Sequence, residues 1–247
     1  MPTKKEIRKK EKGKIIKMIG KYNTFDFSAG GCLDVTQAST STQDLISPIS
    51  VCNKANKFVA PRKIDYRDML VVSSDQGQTC HCVGYACAGV AEFWHWRQKH
   101  YPKQFDGDAI YTEAKKIDKQ PDIKGTWPRY GIRAAIDLGY ISGEPILITV
   151  TGWDDIKFAM HRYGVIVAGF KINSNWNKIE KKTGIISTSK NPIPLGGHAV
   201  LLCGYDDIGV YIQNSWSDAW GISGFGILRW DAFMAEFMMA IAMEVKN

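Results

Sequence analysis

No stretch of the 247 residues stays apolar for the roughly 20 positions that a membrane-spanning helix requires. The early apolar patch IIKMIG at 15–20 is short and broken by a lysine, so it reads neither as a span nor as the apolar region of a cleaved signal peptide. With no leader visible, a cytoplasmic location is the default expectation. Paired CxxC knuckles are missing too. The six cysteines stand at 32, 52, 80, 82, 87 and 203, a spacing that argues against a structural zinc site, and no cofactor or metal is implied. A chain of this length does not depend on a disulfide scaffold; Cys32 and Cys52, which flank a Ser/Thr-rich stretch, pair only if the compartment is oxidising.

Excess charge is absent once the N-terminus is set aside. Residues 1–22 hold nine Lys/Arg and two Glu, which is the whole of the net +7. The remainder balances, so it has no basic groove of the kind that nucleic-acid binding favours. The basic arm reads as a solvated segment, helical in part or disordered. Its sharper readings are a pro-segment that binds its own cleft and a handle for an anionic partner.

What is present is 45% apolar residues, enough for a sizeable core. A polar connector, TQASTSTQD at 36–44, and then Pro48 separate the arm from PRKIDYRDM at 61–69. Residues 1–60 therefore read as arm and linker, and 61–247 as the compact domain. From Cys82 to about His100 there is no proline, and Val83, Ala86, Cys87, Val90, Ala91 and Trp94 recur at helical spacing with one buried face. Further helices are expected over 110–117, over 128–138 with Gly139 as a stop, and over 154–163. Past Gly164 the runs VIVAGFKI, HAVLLCGYD, GVYIQNSW and GFGILRW are short and β-rich. Helices first and strands second indicate an α+β protein in two lobes, with a site in the cleft between them.

The segment DQGQTCHC at 75–82 is turn material leading into the long helix. Cys82 then sits at the helix N-terminus, where the partial positive charge favours thiolate, and a nearby imidazolium would favour it further. Of the five histidines, His198 is the best partner. It follows Gly196-Gly197 and opens a strand, whereas His95 and His100 lie further along the long helix.

These residues resemble the papain-like cysteine peptidases, in particular compact microbial members. Gln76 lies six residues before Cys82, as the oxyanion glutamine of that family precedes its nucleophile. The run His198-Ala199-Val200-Leu201-Leu202-Cys203-Gly204-Tyr205 matches the family's H-A-V-x-x-x-G-Y strand, and Asn214-Ser215-Trp216-Ser217-Asp218-Ala219-Trp220-Gly221 matches its N-S-W-G-x-x-W-G. Asp65-Tyr66-Arg67 looks like the D-W-R that opens the mature domain.

The resemblance implies a helical lobe with a long central helix and a second lobe formed by an antiparallel sheet or barrel. It also implies hydrolysis of protein or peptide substrates through a thioester. Cys82 would be the nucleophile, His198 its acid–base partner and Asn214 the group that orients the imidazole. Gln76 would donate to the oxyanion. Trp216 would cover the His–Asn hydrogen bond, Trp220 would wall the leaving side, and Gly125-Thr126-Trp127 would hold extended substrate. The chain departs from the family at Cys80-His81, at Val83, at Ser217 where glycine is usual, and at Thr79 where many members place a disulfide cysteine. A Cys80–Cys82 bridge would be strained. The competing readings are an acyl transferase, transpeptidase or amidase with the same triad, a non-catalytic binding module of the same fold, and a Cys/His metal protein.

Overall fold

In the computed structural model, which describes residues 47–49 and 59–245, the proline-free run after Cys82 forms helix α1 (Cys82–Lys99). It is more deeply enclosed than its one-faced pattern suggested. Eleven residues between Cys82 and Phe93 are buried, so its first three turns are covered on nearly every side. Small residues allow that: a Cβ on Gly84 would lie 2.0 Å from the Gly107 carbonyl oxygen, and one on Gly131 would lie 2.5 Å from Val83 Cγ1.

Two helices pack directly on α1. Helix α2 (Gly107–Asp118) starts three residues before the expected boundary, because the Asp106 carboxylate caps it by accepting the Ala109 N–H at 3.0 Å. Helix α3 (Pro128–Asp137) begins on its proline, and Gly139 follows it with φ 69°, the left-handed geometry of a helix stop. Helices α4 (Trp153–Tyr163) and α5 (Trp230–Glu236) lie elsewhere, against the sheet.

Eight strands form one sheet: β1 (Ser47–Ile49), β2 (Ile64–Asp65), β3 (Glu144–Ile148), β4 (Ile166–Asn173), β5 (Pro194–Tyr205), β6 (Gly209–Gln213), β7 (Phe225–Arg229) and β8 (Phe237–Glu244). The order is β1-β3-β8-β4-β5-β6-β7, with β2 on β5, and only the β1–β3 pair is parallel. Strands β4 to β7 lie where β-rich runs were read. Strands β3 and β8 were not expected: EPILI carries a proline, and FMMAIAME is rich in Met and Ala, which favour helices. Their pairing across five residues, from Glu144 with Glu244 to Ile148 with Ala240, overrides that preference.

Both faces of the sheet are covered. Val167, Ala199, Leu201 and Ile241 share a core with α1, α2 and α3, while Ile166, Val200, Leu202 and Ala240 share a second core with α4, α5 and Trp176. A strand buried on both sides reads as a continuous apolar run rather than an alternating one, as VIVAGF and AVLLC do. The result is the expected α+β architecture, with a helical lobe set against an antiparallel sheet. Strand β5 starts earlier than expected: Gly196 and Gly197 pair with Ile172 and Lys171, so His198 lies within the strand rather than opening it. Among the described residues no helix is long and apolar enough to cross a membrane.

Candidate active site

Cys82 is the first residue of α1 and is wholly buried. The backbone N–H groups of Ala199, of Val83 and of Cys82 itself lie where they favour its anion. Ala199, the residue after His198, shares a core with Cys82, so the strand that carries the histidine packs on the helix that Cys82 opens.

Burial is the larger electrostatic effect on the sulfur. It pushes the Cys82 thiol up to about 11, and the three N–H donors pull against it. His198 is equally enclosed: burial pushes its imidazole down to about 4, opposed by its hydrogen bond to Asn214. Burial thus works against the expected thiolate–imidazolium pair, while the nearby backbone N–H groups and the helix end work for it.

His198 Nε2 and Asn214 Oδ1 lie 2.7 Å apart. An amide oxygen only accepts, so the neutral ring carries its proton on Nε2 and leaves Nδ1 as an acceptor. Asn214 is itself fixed: Oδ1 also accepts the Ser215 N–H at 2.8 Å, its N–H donates to the Gly224 carbonyl at 3.0 Å, and its carbonyl accepts the Ser73 hydroxyl. The Trp216 ring stacks on His198 with centroids 4.8 Å apart and 28° between planes. Trp176, buried in a short turn after β4, presents its edge to the same imidazole at 6.0 Å. Trp220 stacks on Trp176 at 6.4 Å and donates its indole N–H to the Trp176 carbonyl at 2.9 Å. Trp176 has no motif around it in the sequence, and no signal there marks it.

Gln76 ties the two loops together. Its N–H donates to the Ser215 carbonyl at 2.9 Å, its side-chain oxygen accepts the Ser215 hydroxyl at 2.5 Å, and its amide nitrogen donates to the Thr79 carbonyl at 2.7 Å. One of its two amide hydrogens is left over. Gly125, Thr126 and Trp127 are all buried, and Trp127 is the N-cap of α3. Gly125 donates to the Tyr111 hydroxyl at 3.1 Å, and the Thr126 hydroxyl donates to Asp118 at 2.8 Å. Tyr111 and Asp118 were not singled out in the sequence, where a polar helix face carries no mark of function.

Cys80 is disulfide-bonded, and Cys82, Cys87 and Cys203 are free thiols. The Cys80–Cys82 bridge is thereby excluded, and Cys80 offers no thiolate to a metal. The Cys32–Cys52 pairing lies outside the described residues. His81 Nδ1 pairs with Asp108 at 2.7 Å, and its ring stacks on Tyr111 at 3.9 Å. Cys87 and Cys203 are buried packing residues, as their places in a helix and a strand suggested.

No family model matches the chain, and no curated protein matches it either. Solved structures do. Xylellain, a cysteine protease from Xylella fastidiosa, matches at 19% identity with TM-score 0.69, over 91% of this chain and 98% of its own. Procathepsin B from Trypanosoma congolense matches at 14% and 0.65, over 100% and 99% of the two chains. Bromelain from Ananas comosus, solved with the E64 inhibitor, matches at 16% and 0.59, over 75% of this chain and all of its own. The fold is papain-like.

Proposed function

We propose that this papain-like chain is a cysteine peptidase whose working groups are Cys82, His198, Asn214 and Gln76. One observation carries the reading. Cys82, the first residue of α1, shares a core with Ala199, the residue after His198, and His198 Nε2 is held 2.7 Å from Asn214 Oδ1, which leaves Nδ1 as the acceptor. Cys82 gives its proton to His198 Nδ1 and its sulfur bonds to the substrate carbonyl carbon. The oxygen that becomes negative is met by the remaining Gln76 amide hydrogen and the Cys82 N–H. His198 then returns the proton to the leaving amine as the C–N bond breaks, leaving a thioester. Water, deprotonated by the same imidazole, releases the acid and restores the thiol. Trp216 shields the His–Asn bond from water throughout, and Trp220 together with the 125–127 loop borders the substrate.

The three N–H groups around the sulfur favour its anion, and only burial opposes it. Solvent or substrate entry therefore turns the pair toward its reactive form. Residues 1–60 are read as the segment that controls this entry. A peptide-library digest with the full chain, the chain lacking residues 1–60, and Cys82→Ala tests the reading. Cleavage is expected from the first two, stronger after trimming, and a loss of about 10⁴-fold or more is expected in the variant. Cleavage that survives Cys82→Ala, or failure of a thiol-directed peptide inhibitor to label Cys82, would overturn it. Capture of the acyl group by added amines in preference to water would instead favour acyl transfer.

A further inference from the structure

One face of α2 touches both the residue before Cys82 and the loop at 119–127. Asp108, Tyr111, Lys115 and Asp118 are spaced by three, four and three positions, which places them in one stripe along the helix. At its first end Asp108 holds His81, and Tyr111 stacks on that same ring. Further along, the Tyr111 hydroxyl accepts the Gly125 N–H at 3.1 Å.

The far end is a nearly solvent-free ion pair. Lys115 and Asp118 side chains are 13% and 4% exposed, with Nζ 2.8 Å from Oδ2. Lys115 also donates to the carbonyls of Ile123 at 2.9 Å and Gly125 at 3.1 Å. Asp118 accepts the Thr126 hydroxyl at 2.8 Å and the Gln120 N–H at 2.9 Å. Two charges taken out of water are stable only when their hydrogen-bonding capacity is filled. Here it is filled by four groups of a single loop.

The loop's own backbone is left unevenly used. Both polar backbone groups of Gly125 are occupied, by Tyr111 and by Lys115. The N–H and carbonyl of Thr126 make no hydrogen bond with any described residue.

We infer that Lys115 and Asp118 are positioning residues that fix the backbone of the 119–127 loop, the segment that the peptidase reading assigns to extended substrate. This rests on the peptidase reading of Cys82. The pair touches no reacting atom, so its effect is on binding of the substrate segment that precedes the cleaved bond.

Asp118→Asn keeps the shape and loses the charge, and Lys115→Met removes the donor. For peptides with three or more residues before the cleaved bond, KM is expected to rise between about tenfold and about a hundredfold, with kcat within about twofold. Substrates with one residue before that bond, and alkylation of Cys82 by iodoacetamide, are expected to be unchanged. Amide exchange at 123–126 in the substrate-free protein is expected to accelerate in both variants, and Lys115→Arg to restore much of the lost binding. Equal losses on short and long substrates, or unchanged exchange at 123–126, would overturn the inference alone. A wild-type chain that cleaves nothing and leaves Cys82 unlabelled would overturn it together with the peptidase reading.

Discussion

The two walls of the candidate site are held by different forces. On the sheet side His198 sits among aromatic rings, Trp216 stacked on it and Trp176 edge-on, and its one polar partner is a neutral amide. Among the described residues no charge touches it, and only its hydrogen bond to Asn214 offsets its burial. On the helix side the wall is tied by polar and charged pairs, His81 with Asp108 and Lys115 with Asp118, and α1 also buries the Glu92 carboxyl. An aromatic wall fixes a ring's plane while keeping water off its hydrogen bond. A charged wall fixes a loop's backbone, because ionised groups select directions that apolar contact does not. The sheet side orients the imidazole, and the helix side shapes the segment where substrate is expected to lie.

Gln76 is where the walls join, so it is the place to break the comparison. Gln76→Ala removes both the contact to Ser215 and the remaining amide hydrogen. A drop in kcat of about 10²- to 10³-fold is expected. Gln76→Glu keeps an acceptor for Ser215 and loses the donor. If this second variant retained full activity in single-turnover assays, the oxyanion role would be lost and only a structural one would remain.

A smaller effect separates the walls by sign. Burial lowers the His198 imidazole from 6.5 to about 4, so folding gains from its neutral form above 6.5 and loses that gain as pH falls toward 4. Burial raises the Glu92 carboxyl from 4.5 to about 7, so the protonated form contributes below 4.5 and its contribution is lost as pH rises through 7. Each amounts to roughly 3 kcal/mol, and between pH 4.5 and 6.5 they oppose one another. Denaturant midpoints of the native chain should therefore change little across that window. Glu92→Gln should expose a stability that rises with pH, and His198→Gln one that falls. Two variants with the same pH profile would mean that the walls do not differ as described.

The smallest effect concerns two facing loops with the same backbone geometry. Gly77, beside Gln76, has φ 58°, and Ser217, after Trp216, has φ 67°. Only the first is a glycine. A left-handed conformation costs an L side chain about 1–2 kcal/mol, part of which glycine gives back as entropy in the unfolded chain. Ser217→Gly should raise stability by up to about 1 kcal/mol, and Gly77→Ser should lower it by about as much. Thermal melts of the two variants check this, and shifts in the same direction would defeat it.

How much of this was legible beforehand differs along the chain. Helix α1 and strands β4 to β7 announce themselves through periodicity and through Gly and Asn punctuation. Cys82, His198, Asn214 and Gln76 were reached through motif order; the structure joins His198 to Asn214, and Gln76 to Ser215, the residue after Asn214. Strands β3 and β8 were missed because their residues prefer other conformations and their partners lie almost a hundred positions away. Trp176, Lys115 and Asp118 were missed for a related reason. A tryptophan in a turn, or a lysine three residues from an aspartate on a helix, gains its meaning only from what folds against it.

By itself the sequence determined which residues can supply a thiol, an imidazole and two amides, and that they lie at a helix start, in the turn before it and in or beside β-rich runs, because those properties are local. Only the tertiary structure decided how deeply the thiol and the imidazole are buried, since the groups that exclude water from them come from other segments. The same holds for the 119–127 loop: that Lys115 and Asp118 anchor it is set by how the loop folds back on its helix, and no residue type in the loop records it.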